Sequence, residues 1–298
     1  MDPFGAEGEL VNIHTAFIQG QYTSVLNDFD ASSFSESNAL PIRILQYRAQ
    51  CALGQHQEVI SAISDSDAKS APDLAAAKLY ASYLHSPSDS LVSSAETLAE
   101  QASDNLHVQV LIGTVLARAG KPDQALALLA NHQGSLDAVA LIIQIHLSQT
   151  RVDLALKEAR SARSFAQDAL LVNLAESWIG LRQGGENYQK AFYVFEELAQ
   201  GPSSASATSL IAQAVSELHM GRVEEAETAL GQASALEPEH VEGIANDLVL
   251  KTIVGKETGD LVAKLQTVEK EHELLRELAV KREQFQAAMG KYNPKFEP

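Results

Sequence analysis

The sequence predicts an all-α chain: a tetratricopeptide-like (TPR), right-handed superhelix of antiparallel helix pairs, ending in a C-terminal capping helix. Three observations carry this. First, 45% of the 298 residues are apolar but only 6% are aromatic, and alanine and leucine are frequent. Small side chains suit closely packed helices, whereas sheets draw on β-branched and aromatic residues. Second, a small residue recurs at Val25, Val59, Ala95, Ala125, Ala155, Ala191 and Ala226, at intervals of 34, 36, 30, 30, 36 and 35 residues. These scatter about the 34-residue tetratricopeptide period. Third, residues 210–238, LIAQAVSELHMGRVEEAETALGQASALEP, hold the whole pattern in one unit.

Along the chain, the first two units read alike. AFIQGQYTSVLNDF and CALGQHQEVISAI place Gly20 and Gly54, and likewise Val25 and Val59, 34 residues apart. Glycine at the turn supplies the positive φ that ends a first helix. The third unit, residues 75–99, contains SPSDS and predicts a longer, looser turn. The fourth keeps Gly113, Gly120, Ala125 and Leu129, while the fifth keeps Ala155 but puts Thr150 where glycine is expected.

In the sixth unit Trp178 and Ala191 are 13 residues apart instead of the nine of a standard unit, which predicts an enlarged Gly184-Gly185 corner with Trp178 packed beside it. The seventh unit has Ala214, Gly221, Ala226, Leu230 and Ala233. Its Pro238 stops the second helix, having no N–H to donate.

A hairpin cannot bury its apolar face alone and must stack on its neighbours. The expected organisation is seven to eight hairpins over residues 1–265 and a capping helix with a short tail over 266–298. In that tail Leu274, Leu275, Leu278, Phe285 and Met289 keep helical spacing before Gly290 and Pro294, and a partner-docking helix is the alternative to a cap.

Charge narrows the function classes. The formal net charge is −17. Residues 1–250 hold 13 basic and 31 acidic side chains (−18), and residues 251–298 hold nine and eight (+1). Such a surface repels phosphate backbones and anionic lipid, so no nucleic-acid partner and no direct membrane insertion are expected. The longest apolar run, AVALIIQIHL, is about half the ~20 residues that span a bilayer. One cysteine, Cys51, allows no internal disulfide. The acidic start, MDPFGAEGEL, lacks the features of a secretory signal, and a cytosolic protein is expected.

No catalytic set or cofactor site is found. Gly113 and the AGKP stretch miss the phosphate-loop spacing, and Gly184-Gly185 is followed by Glu186, which repels phosphate. The nine histidines form no metal-binding motif; His14 and His146 read as packing histidines, and His272 lies in a solvated charge run. Cys51 reads as a buried, inert thiol. Asp2-Pro3-Phe4 matches a short motif bound by vesicle-adaptor appendage domains. Serine-rich segments around Ser32 and Ser203 read as mobile.

Function is therefore expected on the concave face, at positions 5, 9, 12 and 13 of each first helix. That selects His14, Phe17, Ile44, Arg48, Val110, Thr114, Arg118, Gln144, Leu147, Glu176, Ile179, Val215 and Leu218. The lining is largely apolar, which predicts a constitutive protein partner. An adaptor for another peptide or a chaperone tail is the alternative. The Lys and Asn carboxylate clamp of chaperone-tail adaptors is missing from these positions.

The sixth unit also carries a resemblance. SWIGLRQGGENYQKAFYVFEELA, with Trp178, Leu181, Gly184, Gly185, Glu186, Gln189, Ala191, Phe192 and Phe195, resembles the signature of the ε subunit family of coatomer, the COPI vesicle coat. Val194 and the Phe192-Tyr193 pair are conservative departures. The likeness extends to GRVEEAETAL and to the terminal helix near YNP. The resemblance implies a non-enzymatic coat subunit whose superhelix binds the C-terminal domain of the coatomer α subunit. Other coatomer subunits would be met indirectly. It further implies Golgi-to-endoplasmic-reticulum and intra-Golgi transport, in the cytoplasm and peripherally on Golgi membranes and COPI vesicles.

Overall fold

The computed structural model describes residues 8–201 and 205–292. Asp2-Pro3-Phe4, Ser203 and Pro294 lie outside the described residues. Every regular element among the described residues is helical. Contacts group the chain into two compact units, Met1–Ser204 and Ala205–Pro298. The division falls earlier than the fading of the repeat at 265 suggested. The last two helix pairs pack on one another, and Leu274 and Leu275 at the start of the terminal helix join the apolar core of the final pair.

The first unit holds six helix pairs. They are α1 (Val11–Ile18) with α2 (Tyr22–Asn27), and α3 (Ala39–Ala52) with α4 (His56–Ala62), followed by a short α5 (Asp65–Ser70). Next come α6 (Pro72–His85) with α7 (Asp89–Gln101), and α8 (Leu106–Arg118) with α9 (Pro122–Leu129). The last two are α10 (Leu136–Ser148) with α11 (Val152–Phe165), and α12 (Leu170–Gln183) with α13 (Glu186–Gln200). The second unit holds α14 (Ala207–His219) with α15 (Val223–Leu236), α16 (Val241–Ile253) with α17 (Gly259–Val268), and α18 (Glu273–Tyr292).

The recurring small residue explains why the pairs form. Val25, Val59, Ala95, Ala125, Ala155 and Ala226 are 0% exposed and Ala191 is 1% exposed. Each sits where its second helix meets its partner, and a larger side chain would hold the helices apart. Gly113 shows the same constraint on a first helix: a Cβ there would lie 3.3 Å from Leu129 of α9. Local signals set the helix starts. Asn105, Ser135 and Ser206 accept from the backbone N–H three residues on, and Pro72 and Pro122 open α6 and α9.

Three local expectations change. The SPSDS turn is a three-residue linker, Ser86 to Ser88, no longer than its counterparts, because extended Ser86 and the Ser88 cap turn the chain without glycine. The four extra residues of the sixth pair do not enlarge its corner. Measured against α14–α15, they lengthen the end of α12 by three and the start of α13 by two, and the linker shrinks by one to Gly184-Gly185 alone. Both glycines have positive φ, 77° and 63°, which makes so short a link feasible. Trp178 is half-buried against the α10–α12 core.

The third change concerns the tail. Leu274 and Leu275 rest on Ile244, Ala245, Leu248 and Leu265, but α18 has no buried residue. Beyond that first turn Leu278, Phe285 and Met289 are 44%, 65% and 50% exposed. The expected cap covers the last pair with one turn only.

Around Ser32 the chain is held by local bonds. Asp30 accepts from the Ser32 N–H at 2.9 Å, and Glu9 accepts from the Ser35 hydroxyl at 2.8 Å and the Asn38 amide at 2.6 Å. These donors, Asn38 first, hold the Glu9 carboxyl below its usual value.

Candidate functional site: the inner face of the first unit

First helices of three pairs in the first unit, α1, α3 and α10, meet at Asp137. This carboxylate lies in the first turn of α10, two residues after the Ser135 cap. One oxygen meets His14 Nε2 of α1 at 2.7 Å, and the other accepts from an Arg48 guanidinium nitrogen of α3 at 3.1 Å. The Arg48 guanidinium also stands 4.5 Å from the centre of the Phe17 ring. Burial alone would raise the Asp137 carboxyl. The charges and hydrogen bonds of Arg48 and His14 outweigh it and hold the group well below the usual carboxylate range.

The contacts cross 123 and 89 residues of sequence, so they clasp the first two pairs onto the fifth. Ile18 of α1 adds an apolar contact to the same core as Leu136, Val139 and Ile143. Behind the clasp lies a cavity of about 70 Å³, whose remaining lining includes Leu10, Ile42, Leu45, Leu106, His107 and Val110. His107 Nδ1 is itself tied to Asp73 at 2.8 Å.

A histidine on a half-buried carboxylate invites an acid–base reading. The lining holds no serine, threonine, cysteine, lysine or tyrosine, so no nucleophile stands beside the pair. Burial pushes the Cys51 thiol up to about 12, away from the reactive thiolate. Among the described residues no group of His, Cys, Asp and Glu is arranged to hold a metal ion. The pair, with Arg48, joins α1 and α3 to α10.

The selected inner residues separate into four sets. Ile44, Val110, Leu147 and Ile179 are 0%, 8%, 7% and 1% exposed. They pack between helices, which corrects the expectation of an open apolar lining: adjacent first helices stand close enough to bury them. His14, Phe17, Arg48, Thr114 and Glu176 are buried or half-buried with polar engagements of their own, except Phe17, which lies under Arg48. Glu176 accepts from Arg163 at 3.0 Å. Arg118 and Gln144 are exposed. Val215 and Leu218 belong to the second unit and are half-buried there.

Asp137 itself escaped the sequence reading. It stands at position 2 of its unit, outside the inner positions scanned, and looks like an ordinary acid in a helix first turn. Its partners are too distant in sequence for spacing to reveal.

Comparisons with known proteins now bear on this arrangement. The model of the family described as coatomer epsilon subunit matches residues 6–293. Coatomer subunit epsilon-1 of Arabidopsis thaliana is 32% identical over 290 residues, covering 95% of this chain and 97% of that protein. The probable coatomer subunit epsilon of Schizosaccharomyces pombe is 29% identical over 249 residues, covering 83% and 81%. No helix among the described residues is long and apolar enough to cross a membrane.

Among solved structures, a chain in the crystal structure of the APC/C hetero-tetramer Cut9-Hcn1 is similar in fold, with a TM-score of 0.57 at 14% identity. The match covers 90% of this chain and 54% of that one, so this chain spans about half its length. That chain is built of tetratricopeptide repeats, in agreement with the helix pairs described above. Family match, near-complete coverage of the relatives and the repeat architecture agree: the chain belongs to the coatomer epsilon subunit family.

Proposed function

We propose that this chain is a non-enzymatic scaffold of the COPI coat that binds the C-terminal domain of the coatomer α subunit through the inner face of its first unit. The match of the family over residues 6–293 carries the reading. In it, the chain works in the cytoplasm and reaches Golgi membranes and COPI vesicles only through other coat subunits, supporting Golgi-to-endoplasmic-reticulum and intra-Golgi transport. The Asp137 clasp supports it physically: a scaffold that presents one rigid face loses less conformational entropy on binding than one that must first close.

The face that remains accessible is more polar than the sequence alone suggested. Arg118 and Gln144 are exposed on neighbouring first helices, with Thr114 half-buried one turn before Arg118. The test is co-expression with a fragment containing the α C-terminal domain, followed by size-exclusion chromatography. The two are expected to co-elute at micromolar concentration. Separate elution, with this chain folded by circular dichroism, sinks the proposal. Capture of an acidic chaperone-tail peptide in place of the α fragment would favour the adaptor alternative.

A further inference from the structure

A second concave feature lies in the first unit, apart from the Asp137 cavity. Helices α11 and α13 flank a groove of about 410 Å³ with α12 at its base. Its floor is apolar: Ala159, Ile179 and Ala191 are 1–2% exposed. Its rim is cationic, with Arg160 and Arg163 on α11 and Lys190 on α13. Glu176 is the only acid lining it, and that carboxylate is taken up by Arg163 at 3.0 Å. Arg160 and Lys190 are exposed and form no ion pair among the described residues.

This runs against the charge of the rest of the chain. Residues 151–190 hold six basic and five acidic side chains (+1), within 250 residues that total −18. Exposed cations without ion-pair partners beside an apolar floor, on a protein that otherwise repels anions, make a surface complementary to an acidic, partly apolar ligand. We infer that this groove docks a short, extended, acidic segment of another protein, with Arg160 and Lys190 as its anchoring charges.

The dimensions fit such a segment. The α11 side runs from Leu156 to Arg163, about 10 Å of helix, which accommodates about three extended residues. In an extended segment alternate side chains face opposite ways. Apolar residues can therefore rest on Ile179 and its neighbours while the intervening carboxylates reach the rim. No aromatic side chain lines the groove to stack a base, which favours a peptide over a nucleic acid.

The probe is a fluorescein-labelled hexapeptide of alternating Glu and Leu, titrated with the full-length chain at low ionic strength and read by anisotropy. A Gln–Leu peptide of the same length is the control. The Glu peptide is expected to bind saturably and the Gln peptide at least about tenfold more weakly, an attraction that salt screens. Arg160→Glu with Lys190→Glu should weaken the Glu peptide at least tenfold. Lys281→Glu with Lys291→Glu, the same change of charge on exposed α18, should leave it unaltered. Glu176→Gln, which frees Arg163, should tighten it about twofold. Four results overturn the inference: no binding, equal binding of both peptides, equal loss in both double variants, or a single-stranded oligonucleotide binding where the peptide does not. No coat subunit enters the assay, so its outcome is separate from that of the α-subunit proposal.

Discussion

At the scale of single residues, the fastening of the first unit turns on Asp137. Replacing it with Asn leaves Arg48 and His14 in place and removes the negative charge that Arg48 faces. Asp137→Asn should lower stability at pH 7 by about 2 kcal/mol, measured by urea unfolding. The folded carboxyl titrates below its ordinary value of 3.8. Its contribution is thus complete above that value and is lost as pH falls toward the lower, folded one. Wild type and Asp137→Asn should converge on acidification below about pH 4; a gap that widens there would contradict the clasp. Cys51, 4% exposed with its thiol pushed up to about 12, should react with a thiol reagent at least about 100-fold more slowly in the native state than in urea. Thr150 adopts φ 59° at the turn where other pairs carry glycine. The left-handed conformation costs a β-branched residue about 1–2 kcal/mol, partly offset because glycine also loosens the unfolded chain. Thr150→Gly should therefore raise stability by about 0.5 kcal/mol, seen as a higher urea midpoint at unchanged slope.

At the scale of helices, most of the pairing was legible because steric need leaves a mark in sequence. The seven small residues of the repeat are 0–1% exposed, and Gly20, Gly54, Gly120 and Gly221 all have positive φ, 75–78°. The misjudged features were those that spacing cannot decide. Four extra residues between Trp178 and Ala191 can enlarge a turn or lengthen helices. The Gly-Gly link shows the second, since two left-handed residues reverse the chain without further length. The apolar inner residues were placed on the right helices, yet Leu147 and Ile179 face neighbouring helices so closely that a charge there would unfold the unit. A surface test must use Arg118 and Gln144 instead. Helix α18 was legible as a helix, but its packing was not, because amphipathic spacing does not reveal how far a neighbour extends. Truncation after residue 280 should leave the melting temperature within about 1 °C, whereas Leu274→Asp with Leu275→Asp should lower it, because only those side chains meet the α16–α17 core.

At the scale of the whole molecule, the chain reads as a scaffold. Its ion pairs fasten helices, and the cavity beside the His14–Asp137 pair is lined by no serine, threonine, cysteine, lysine or tyrosine. Long-range closure, linking α1 and α3 to α10, was not readable from one sequence because the partners are 89 and 123 residues apart. That closure is also what turns the row of first helices in the first unit into a preorganised face. Light scattering coupled to size-exclusion chromatography puts the scaffold role to the sharpest test. The purified chain is mixed at equal, micromolar concentration with a separately purified fragment holding the C-terminal domain of the α subunit. A single species at the summed mass is expected, lost in Arg118→Glu with Gln144→Arg while helical content is kept. Two species at the separate masses, from a wild-type chain that is folded, would contradict it.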